Sequence, residues 1–411
     1  MKKILALLLA VVMVLGMVAC ASKTETPAET TTTEPAATET TEETKTEEPA
    51  AEETTEEPAE ETGAVIQKVA LVTDVGTIDD ESFNQATWQG VKAYCEANGI
   101  EDTYYQPTED STEARCISID QAIKEGANVV VMPGYLFGAS IVREQEKYPE
   151  VYFIAVDVGA GDLTEDYATY YDPAANVVCA TFAEEQAGYL AGYAVVMDGY
   201  TKLGFLGGMA VPAVIRYGYG FVQGADAAAA ELGQNIEINY FYGGQFYGDA
   251  NITSRMEGWY SNGTQVVFAC GGGIYTSAVE AALKNNGYVI GVDVDQNYIG
   301  ANGVADGTYA YNPFITSAMK GLSEAVNTAL ADIDAGSWDD IAGSNGNFGL
   351  EDGDYIGLPT DADSWNFESF TTDEYEEVKG KIKSGEITVD NSSDDATKPT
   401  VSEFTTVNYI Q

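Results

Sequence analysis

Short apolar runs alternate with stretches of helical length from Val69 onward. In the first half of this region, the apolar runs predict four strands, at residues 69–73, 103–106, 128–132 and 151–156. Helices are predicted between them at residues 83–98 and 113–125, each ending just before a glycine. Alternating strands and helices are typical of a parallel, doubly wound α/β sheet.

A similar series begins after a long predicted helix at residues 182–197. It consists of alternating strands and helices, with strands at 203–206, 236–242, 266–269 and 289–292 and helices at 213–232, 250–261 and 276–285. The rest of the chain predicts a short strand after Gly307, a helix at 317–330, a strand near 353–357 and a helix at 372–383. The two series predict two α/β lobes.

The amino terminus has a different pattern. Lys2 and Lys3 precede an apolar run at residues 4–18, which ends at Ala19 and Cys20. This is the layout of a targeting signal, and the run is shorter than the roughly 20 apolar residues that a membrane-spanning helix needs. Residues 17–20, Met-Val-Ala-Cys, resemble a bacterial lipobox with Met in place of the usual Leu. We expect residues 1–20 to be a lipoprotein signal and Cys20 to be lipidated; an ordinary secretory signal is the alternative.

Residues 21–63 contain almost only Thr, Glu, Ala and Pro. Between residues 22 and 62 there are 14 Glu and 2 Lys. Such a segment has nothing with which to form a core, and its like charges repel one another. We therefore expect an extended, disordered tether between a membrane anchor and the folded lobes.

Composition excludes several classes of function. Lys and Arg number 19 against 66 Asp and Glu, for a net charge of −47, so binding to nucleic acid is not expected. The chain has no histidine, which excludes Ser-His-Asp catalysis and histidine metal sites. The four cysteines after Cys20 are far apart in the chain, and we expect them to be small, buried packing residues. They are Cys95, Cys116, Cys179 and Cys270.

The densest polar loop, at residues 73–85, lies between the first predicted strand and helix. Its carboxylates resemble the aspartate-rich loop with which a nucleoside hydrolase binds Ca²⁺, but Val72 occupies one of the positions where that enzyme needs an acid. The alternative is structural: Asp79 or Ser82 caps the helix, and Asp80 and Glu81 face its positive end.

A glycine run, Gly271-Gly272-Gly273, follows another predicted strand. Thr276 stands where a dinucleotide-binding fingerprint needs its third glycine, so that fingerprint is incomplete. The run fits either a tight turn or close approach of the backbone to a small ligand.

Several separated motifs together resemble the basic membrane protein family, also called the purine nucleoside receptor A family. The resemblance extends from about Lys68 to Val389 and rests on these segments: 70–76 (Ala-Leu-Val-Thr-Asp-Val-Gly), 80–85 (Asp-Glu-Ser-Phe-Asn-Gln) with Trp88 and Gly90, 214–221 (Val-Ile-Arg-Tyr-Gly-Tyr-Gly-Phe), 291–296 (Gly-Val-Asp-Val-Asp-Gln) and 381–387 (Lys-Ile-Lys-Ser-Gly-Glu-Ile).

The resemblance implies a type I periplasmic-binding-protein fold, with two Rossmann-like lobes joined by a hinge. Family members are lipoproteins that bind solutes for ABC importers, and the best understood bind purine nucleosides. We accordingly expect lobe 1 to comprise residues 64–172 and 305–335, lobe 2 to comprise 173–304 and 336–390, and residues 391–411 to form a tail.

The resemblance also implies a set of ligand-binding residues. Asp74 and Asp157 match the acids that hydrogen-bond the base, while Phe83 and Tyr217 match the rings that stack on it. Asn84, next to Phe83, is also expected to bind the ligand. Tyr217 stands where the family has Phe, which adds a hydroxyl near the base.

The group that holds the ribose is matched by Gly272, Asp293 and Lys320. Two of these have structural alternatives, because Asp293 could cap a turn and Lys320 could be a solvated helix residue.

These observations predict a monomeric, lipid-anchored receptor on the extracytoplasmic face of the cell membrane. It is expected to bind a nucleoside, with a purine nucleoside favoured, between two closing lobes, with no cofactor, metal or catalysis, and to present it to an ABC permease and its ATPase. Three alternatives stay open: binding of a sugar or another small polar solute, a Ca²⁺-dependent nucleoside hydrolase, and a surface sensor.

Overall fold

The computed structural model describes residues 65–411. The predicted signal, the predicted tether and Cys20 lie outside the described residues. Within the described part of the chain, no helix is both long enough and apolar enough to span a bilayer.

The first sheet has six strands in the spatial order β11-β5-β4-β3-β1-β2. All neighbouring strands in it are parallel. The bounds are β1 Lys68–Val72, β2 Glu101–Tyr105, β3 Val129–Pro133, β4 Tyr152–Val156, β5 Val177–Phe182 and β11 Asn345–Phe348. The three central strands β1, β3 and β4 are almost wholly buried, which explains their continuous apolar runs.

The second sheet has seven strands in the order β12-β10-β9-β8-β6-β7-β13. Only the short edge strand β12 is antiparallel to its neighbour. The bounds are β6 Lys202–Gly207, β7 Ile236–Tyr242, β8 Val266–Cys270, β9 Tyr288–Asp293, β10 Phe314–Lys320, β12 Ile356–Gly357 and β13 Thr405–Tyr409.

In the part of the chain that the structure describes, ten α-helices connect these strands. They are α1 Phe83–Asn98, α2 Thr112–Lys124, α3 Gly138–Lys147, α4 Glu184–Met197, α5 Pro212–Leu232, α6 Ala250–Ser261, α7 Tyr275–Asn285, α8 Asn297–Ala305, α9 Leu322–Ala335 and α10 Thr372–Lys383. Helix α1 has the predicted bounds and ends at Gly99, whose φ of 68° suits glycine. The alternation of strands and helices in two parallel sheets confirms the predicted fold class.

Helices α4 and α5 pack unusually closely. A Cβ built on Gly188 of α4 would lie 2.1 Å from the carbonyl oxygen of Tyr217, and one built on Gly220 of α5 would lie 2.0 Å from that of Glu185. Only glycine permits such an approach at these two positions. This contact fixes the helix that carries Tyr217.

Two predicted helices begin too early, and the prediction missed helices α3 and α8 and strands β5, β11 and β13. Residues 317–320 end the buried strand β10 and do not begin a helix, and residue 182 ends strand β5 and does not lie in α4. Both errors arise where an apolar strand runs directly into an apolar helix, because hydrophobic periodicity does not mark that boundary.

The sheet pairing also differs from the expected lobe boundaries. Strands β5 and β11 belong to the first sheet, whereas β10 belongs to the second. Residues 391–411, expected to be a tail, contribute β13, which pairs with β7. A sequence pattern predicts strands but not which sheet receives them when the chain crosses between lobes more than once.

Candidate functional site

A cavity lies where the carboxyl ends of strands from both sheets meet. This is the usual position of a ligand site in open parallel sheets. All eight residues predicted to bind the ligand line it: Asp74, Phe83, Asn84, Asp157, Tyr217, Gly272, Asp293 and Lys320. The structure therefore brings together residues separated by up to 246 positions in the chain.

A polar network begins at Asp74, just after β1. Its Oδ1 accepts hydrogen bonds from the N–H of Gly76 at 2.8 Å and from Asn84 Nδ2 at 3.1 Å. Burial raises the pKa of the Asp74 carboxyl, and these hydrogen bonds oppose the rise. Gly134 leaves space for this side chain, since a Cβ there would lie 2.8 Å from Asp74 Oδ2.

Asp80 caps helix α1. Its carboxylate accepts hydrogen bonds from the backbone N–H groups of Ser82, Asn84 and Gln85 at 3.0–3.1 Å. The predicted cap by Asp79 or Ser82 is thus replaced by Asp80, because only its carboxylate reaches three free N–H groups of the first turn. Burial raises the pKa of Asp80 to about 6.

The same amide of Asn84 also donates to Asp80 Oδ2 at 3.2 Å, so Asn84 links the two carboxylates. Among residues 65–411, no group of three or more His, Cys, Asp or Glu side chains is arranged to hold a metal ion. The polar loop is built from hydrogen bonds between side chains and the helix amino terminus.

Two aromatic rings approach the cavity from opposite lobes. Phe83 begins α1 in the first lobe, which contains the six-stranded sheet, and Tyr217 lies on α5 in the second lobe, which contains the seven-stranded sheet. The Lys320 ammonium is 4.8 Å from the centre of the Phe83 ring and 5.6 Å from that of Tyr217. Burial raises the pKa of Tyr217, and its hydroxyl has no hydrogen-bond partner within the described chain.

Lys320, at the end of β10, is the positive centre of the site. Its Nζ is hydrogen-bonded to Asp157 and lies 3.4 Å from Glu184 and 3.7 Å from Asp293. The ammonium is almost fully buried, which excludes the solvated helix residue considered above. Burial alone would lower the pKa of Lys320, but the surrounding carboxylates raise it.

Asp157 and Asp293 have strained backbones at the ends of β4 and β9. Their φ values are 57° and 67°, in the left-handed region that non-glycine residues rarely adopt. Such strain concentrates at functional sites, where it directs a side chain into a cavity.

The two carboxyls have different partners. Asp293 Oδ2 accepts a hydrogen bond from Ser82 Oγ at 2.5 Å, whereas Asp157 Oδ1 has no partner among residues 65–411. Burial raises the pKa of Asp157 to about 7, although the charge of Lys320 opposes the rise. Burial also raises the pKa of Asp293. Both carboxyls therefore retain capacity to bind a further polar group.

Sequence reasoning missed the pair behind Lys320. Glu184, the first residue of α4, is fully buried and accepts a hydrogen bond from Arg216 Nε at 2.6 Å. Burial alone would raise the pKa of Glu184, but the charges of Arg216 and Lys320 lower it. Arg216 lies in one of the resemblance motifs, next to Tyr217. That position was the one sequence feature that could have indicated a role for Arg216 near the site.

Gly272 has a φ of 50° and faces Phe246 of the second lobe. A Cβ at Gly272 would lie 3.1 Å from the carbonyl oxygen of Phe246, so glycine keeps the backbone available to the cavity. Phe246 also lines the cavity and was not predicted. It lies in a loop after β7 that carries no strong sequence signal.

Comparison with known protein families identifies the family of this chain. Residues 66–393 match the family described as "ABC transporter substrate-binding protein PnrA-like". The chain belongs to this family. It is therefore an ABC transporter substrate-binding protein, and the resemblance found in the sequence motifs is confirmed.

Similar proteins occur in bacteria. One from Lactococcus lactis subsp. cremoris, named "ABC transporter nucleoside-binding protein BmpA", is 29% identical over 65% of this chain and 73% of its own length. Another, from Listeria innocua and named "CD4+ T-cell-stimulating antigen", is 30% identical over 78% of this chain and 87% of its own length.

Solved structures show the same fold. An ABC transporter solute-binding protein from Aeropyrum pernix superimposes with a TM-score of 0.64 at 23% identity, covering 80% of this chain and 95% of its own. This PnrA-like chain therefore has the type I periplasmic-binding fold expected from the resemblance.

Proposed function

We propose that this protein binds a nucleoside, with preference for a purine base, in the cavity between its two lobes. The carrying observation is that the eight predicted residues, including two aromatic rings from opposite lobes, line one cavity. The nucleoside-binding name of the Lactococcus relative supports the same ligand class.

The base is assigned to the space between Phe83 and Tyr217. A flat heteroaromatic ring gains roughly 1–3 kcal/mol from each aromatic side chain that stacks on it. Asp157 Oδ1 has no hydrogen-bond partner within the described residues and is available to a polar edge of the base. Both hydrogen bonds to Asp74 fall on Oδ1, which leaves Oδ2 for the base.

The ribose is assigned to Asp293, Lys320 and Gly272. A carboxylate accepts two hydrogen bonds from vicinal hydroxyls, and a nearby ammonium keeps the carboxylate oriented. The 3.7 Å separation of Lys320 Nζ and Asp293 Oδ1 suits this arrangement. A neutral nucleoside also avoids the repulsion that this acidic chain exerts on anions.

The two lobes are proposed to close over the nucleoside. Contacts made only in the closed form shift the equilibrium toward closure when ligand binds. The closed receptor then delivers its nucleoside to an ABC permease and ATPase. A lipid on Cys20 would hold the receptor at the extracytoplasmic face of the membrane, with residues 21–63 as the tether.

The test is a calorimetric titration of the full chain in mild detergent. The ligands are adenosine, guanosine, inosine, cytidine and ribose, and each mixture is checked afterward for free base. We expect purine nucleosides to bind most tightly and to remain intact. Binding of ribose alone would favour a sugar receptor, release of free base would favour a hydrolase, and no binding throughout would contradict the proposal.

A further inference from the structure

A second contact joins the two lobes outside the ligand cavity. Glu81, in the loop between β1 and α1 of the first lobe, contacts Gln296 and Tyr298 at the start of α8 in the second lobe. We call Glu81, Gln296 and Tyr298 the Glu81 latch. None of the three lines the cavity.

Gln296 is fully buried and held rigidly by its own lobe. Its backbone N–H donates to Ser317 Oγ at 3.0 Å, and its Oε1 accepts from the Val292 N–H at 3.1 Å. The side-chain amide therefore has one direction left for its Nε2, which donates to the Glu81 carbonyl oxygen at 2.8 Å. The donor is therefore oriented by contacts within its own lobe.

The acceptor side is equally well fixed. Glu81 has a φ of 54°, in the left-handed region, and its N–H donates to Gln85 Oε1 at 3.1 Å. Its carboxylate accepts from Gln85 Nε2 at 2.9 Å and from the hydroxyl of Tyr298. The bonds to Gln85 lie within the first lobe. The carbonyl oxygen and a carboxylate oxygen of Glu81 both contact the second lobe.

The latch lies next to the ligand site in the chain. Glu81 directly precedes Ser82, which donates to Asp293, and Phe83, which lines the cavity. Opening the cleft between the lobes requires the contacts of Gln296 and Tyr298 with Glu81 to break. Their free energy consequently favours the closed arrangement.

We propose that Gln296 and Tyr298 are positioning residues which grip Glu81 in the closed state and thereby set how long a ligand stays bound. The retention role rests on the proposed function, whereas the contact between lobes can be tested without any ligand. A loss of one such contact speeds ligand release by about fivefold to tenfold.

The principal variant is Tyr298→Phe, which removes only the hydroxyl from a partly exposed side chain. Tyr193→Phe is the matched control, because its hydroxyl donates to Glu231 at 2.8 Å within one lobe. Gln296→Glu is the second variant: it keeps an oxygen for the Val292 N–H but sets another against the Glu81 carbonyl. It is scored only if circular dichroism and thermal unfolding show a native fold.

Two readouts are taken on the full chain. Hydrogen exchange without ligand should become faster at residues 80–85 in Tyr298→Phe and unchanged in Tyr193→Phe. Stopped-flow release of inosine should become about fivefold to tenfold faster, with an unchanged association rate. Gln296→Glu should accelerate hydrogen exchange and inosine release more than Tyr298→Phe does.

The outcomes separate the two proposals. If the unaltered protein binds no nucleoside, the proposed function fails, and hydrogen exchange still decides whether the latch joins the lobes. If Tyr298→Phe shows the same hydrogen exchange and the same inosine release as the unaltered protein, the proposed latch is wrong. Faster exchange with unchanged release would overturn its role in ligand retention.

Discussion

Glu185, the second residue of α4, provides a quantitative test of the packing around the site. Its side chain is buried, its Oε2 has no partner among residues 65–411, and it lies beside the charged Glu184. Burial, with the charge of Glu184, raises the pKa of Glu185 from 4.5 to about 7. An unpaired buried carboxylate therefore destabilises the fold once it ionises.

The magnitude follows from the two pKa values. At about 1.4 kcal/mol for each tenfold change, the difference corresponds to about 3 kcal/mol. Between the unfolded pKa of 4.5 and the folded pKa of about 7, the native state binds more protons than the unfolded state. The neutral Glu185 carboxyl therefore contributes this free energy of unfolding fully below pH 4.5, and the contribution is lost as pH rises through 7. Glu185→Gln removes the charge but keeps a buried amide, so we expect about 1–2 kcal/mol of stabilisation at pH 8.

Thermal unfolding measured at pH 8 and pH 4 tests this reasoning. We expect Glu185→Gln to raise the unfolding temperature by a few degrees at pH 8 and to lose most of that gain at pH 4. Glu96→Gln, at an exposed position of α1, is the control and should change little. A Glu185→Gln variant no more stable than the unaltered protein at pH 8, or equally stabilised at both values, would refute the argument.

Three further predictions concern the site and its support. Phe83→Ala should weaken nucleoside binding about tenfold or more with the fold intact, and calorimetry showing unchanged affinity would exclude stacking. Asp293→Asn should penalise nucleosides more than free bases, and equal losses in parallel titrations would argue against its ribose role. Gly188→Ala should lower the unfolding temperature, because its Cβ would meet a backbone oxygen on α5. Gly258→Ala is the control and should not lower it, because the space around Gly258 is open. Equal unfolding temperatures of the two variants would contradict the packing argument.

The fold was largely predictable because the lobes are built from repeated strands and helices with clear periodicity. Helices α1 and α6 have the predicted bounds, and glycine ends α1 as expected. The assignment of β5, β10 and β11 to sheets was not predictable, since it depends on where the chain crosses the hinge. Lys320 illustrates the consequence: without the strand assignment, its buried position was unknown.

Sequence motifs predicted the ligand-binding residues, but they did not predict the contacts of the residues around them. Glu184 is 136 positions from Lys320 and has no local pattern that distinguishes it from a surface glutamate at a helix start. Gln296 lies in a resemblance motif, yet its contact with Glu81 spans 215 positions. Contacts at this separation depend on how two lobes meet, and a single sequence carries no local signal for them.

The most direct test of nucleoside binding between the lobes is a crystal structure of the protein grown with inosine. We predict the base between the rings of Phe83 and Tyr217, one edge on Asp157, and the ribose hydroxyls on Asp293 near Lys320. Inosine bound elsewhere, or a cavity that holds a different class of solute in its presence, would contradict the account.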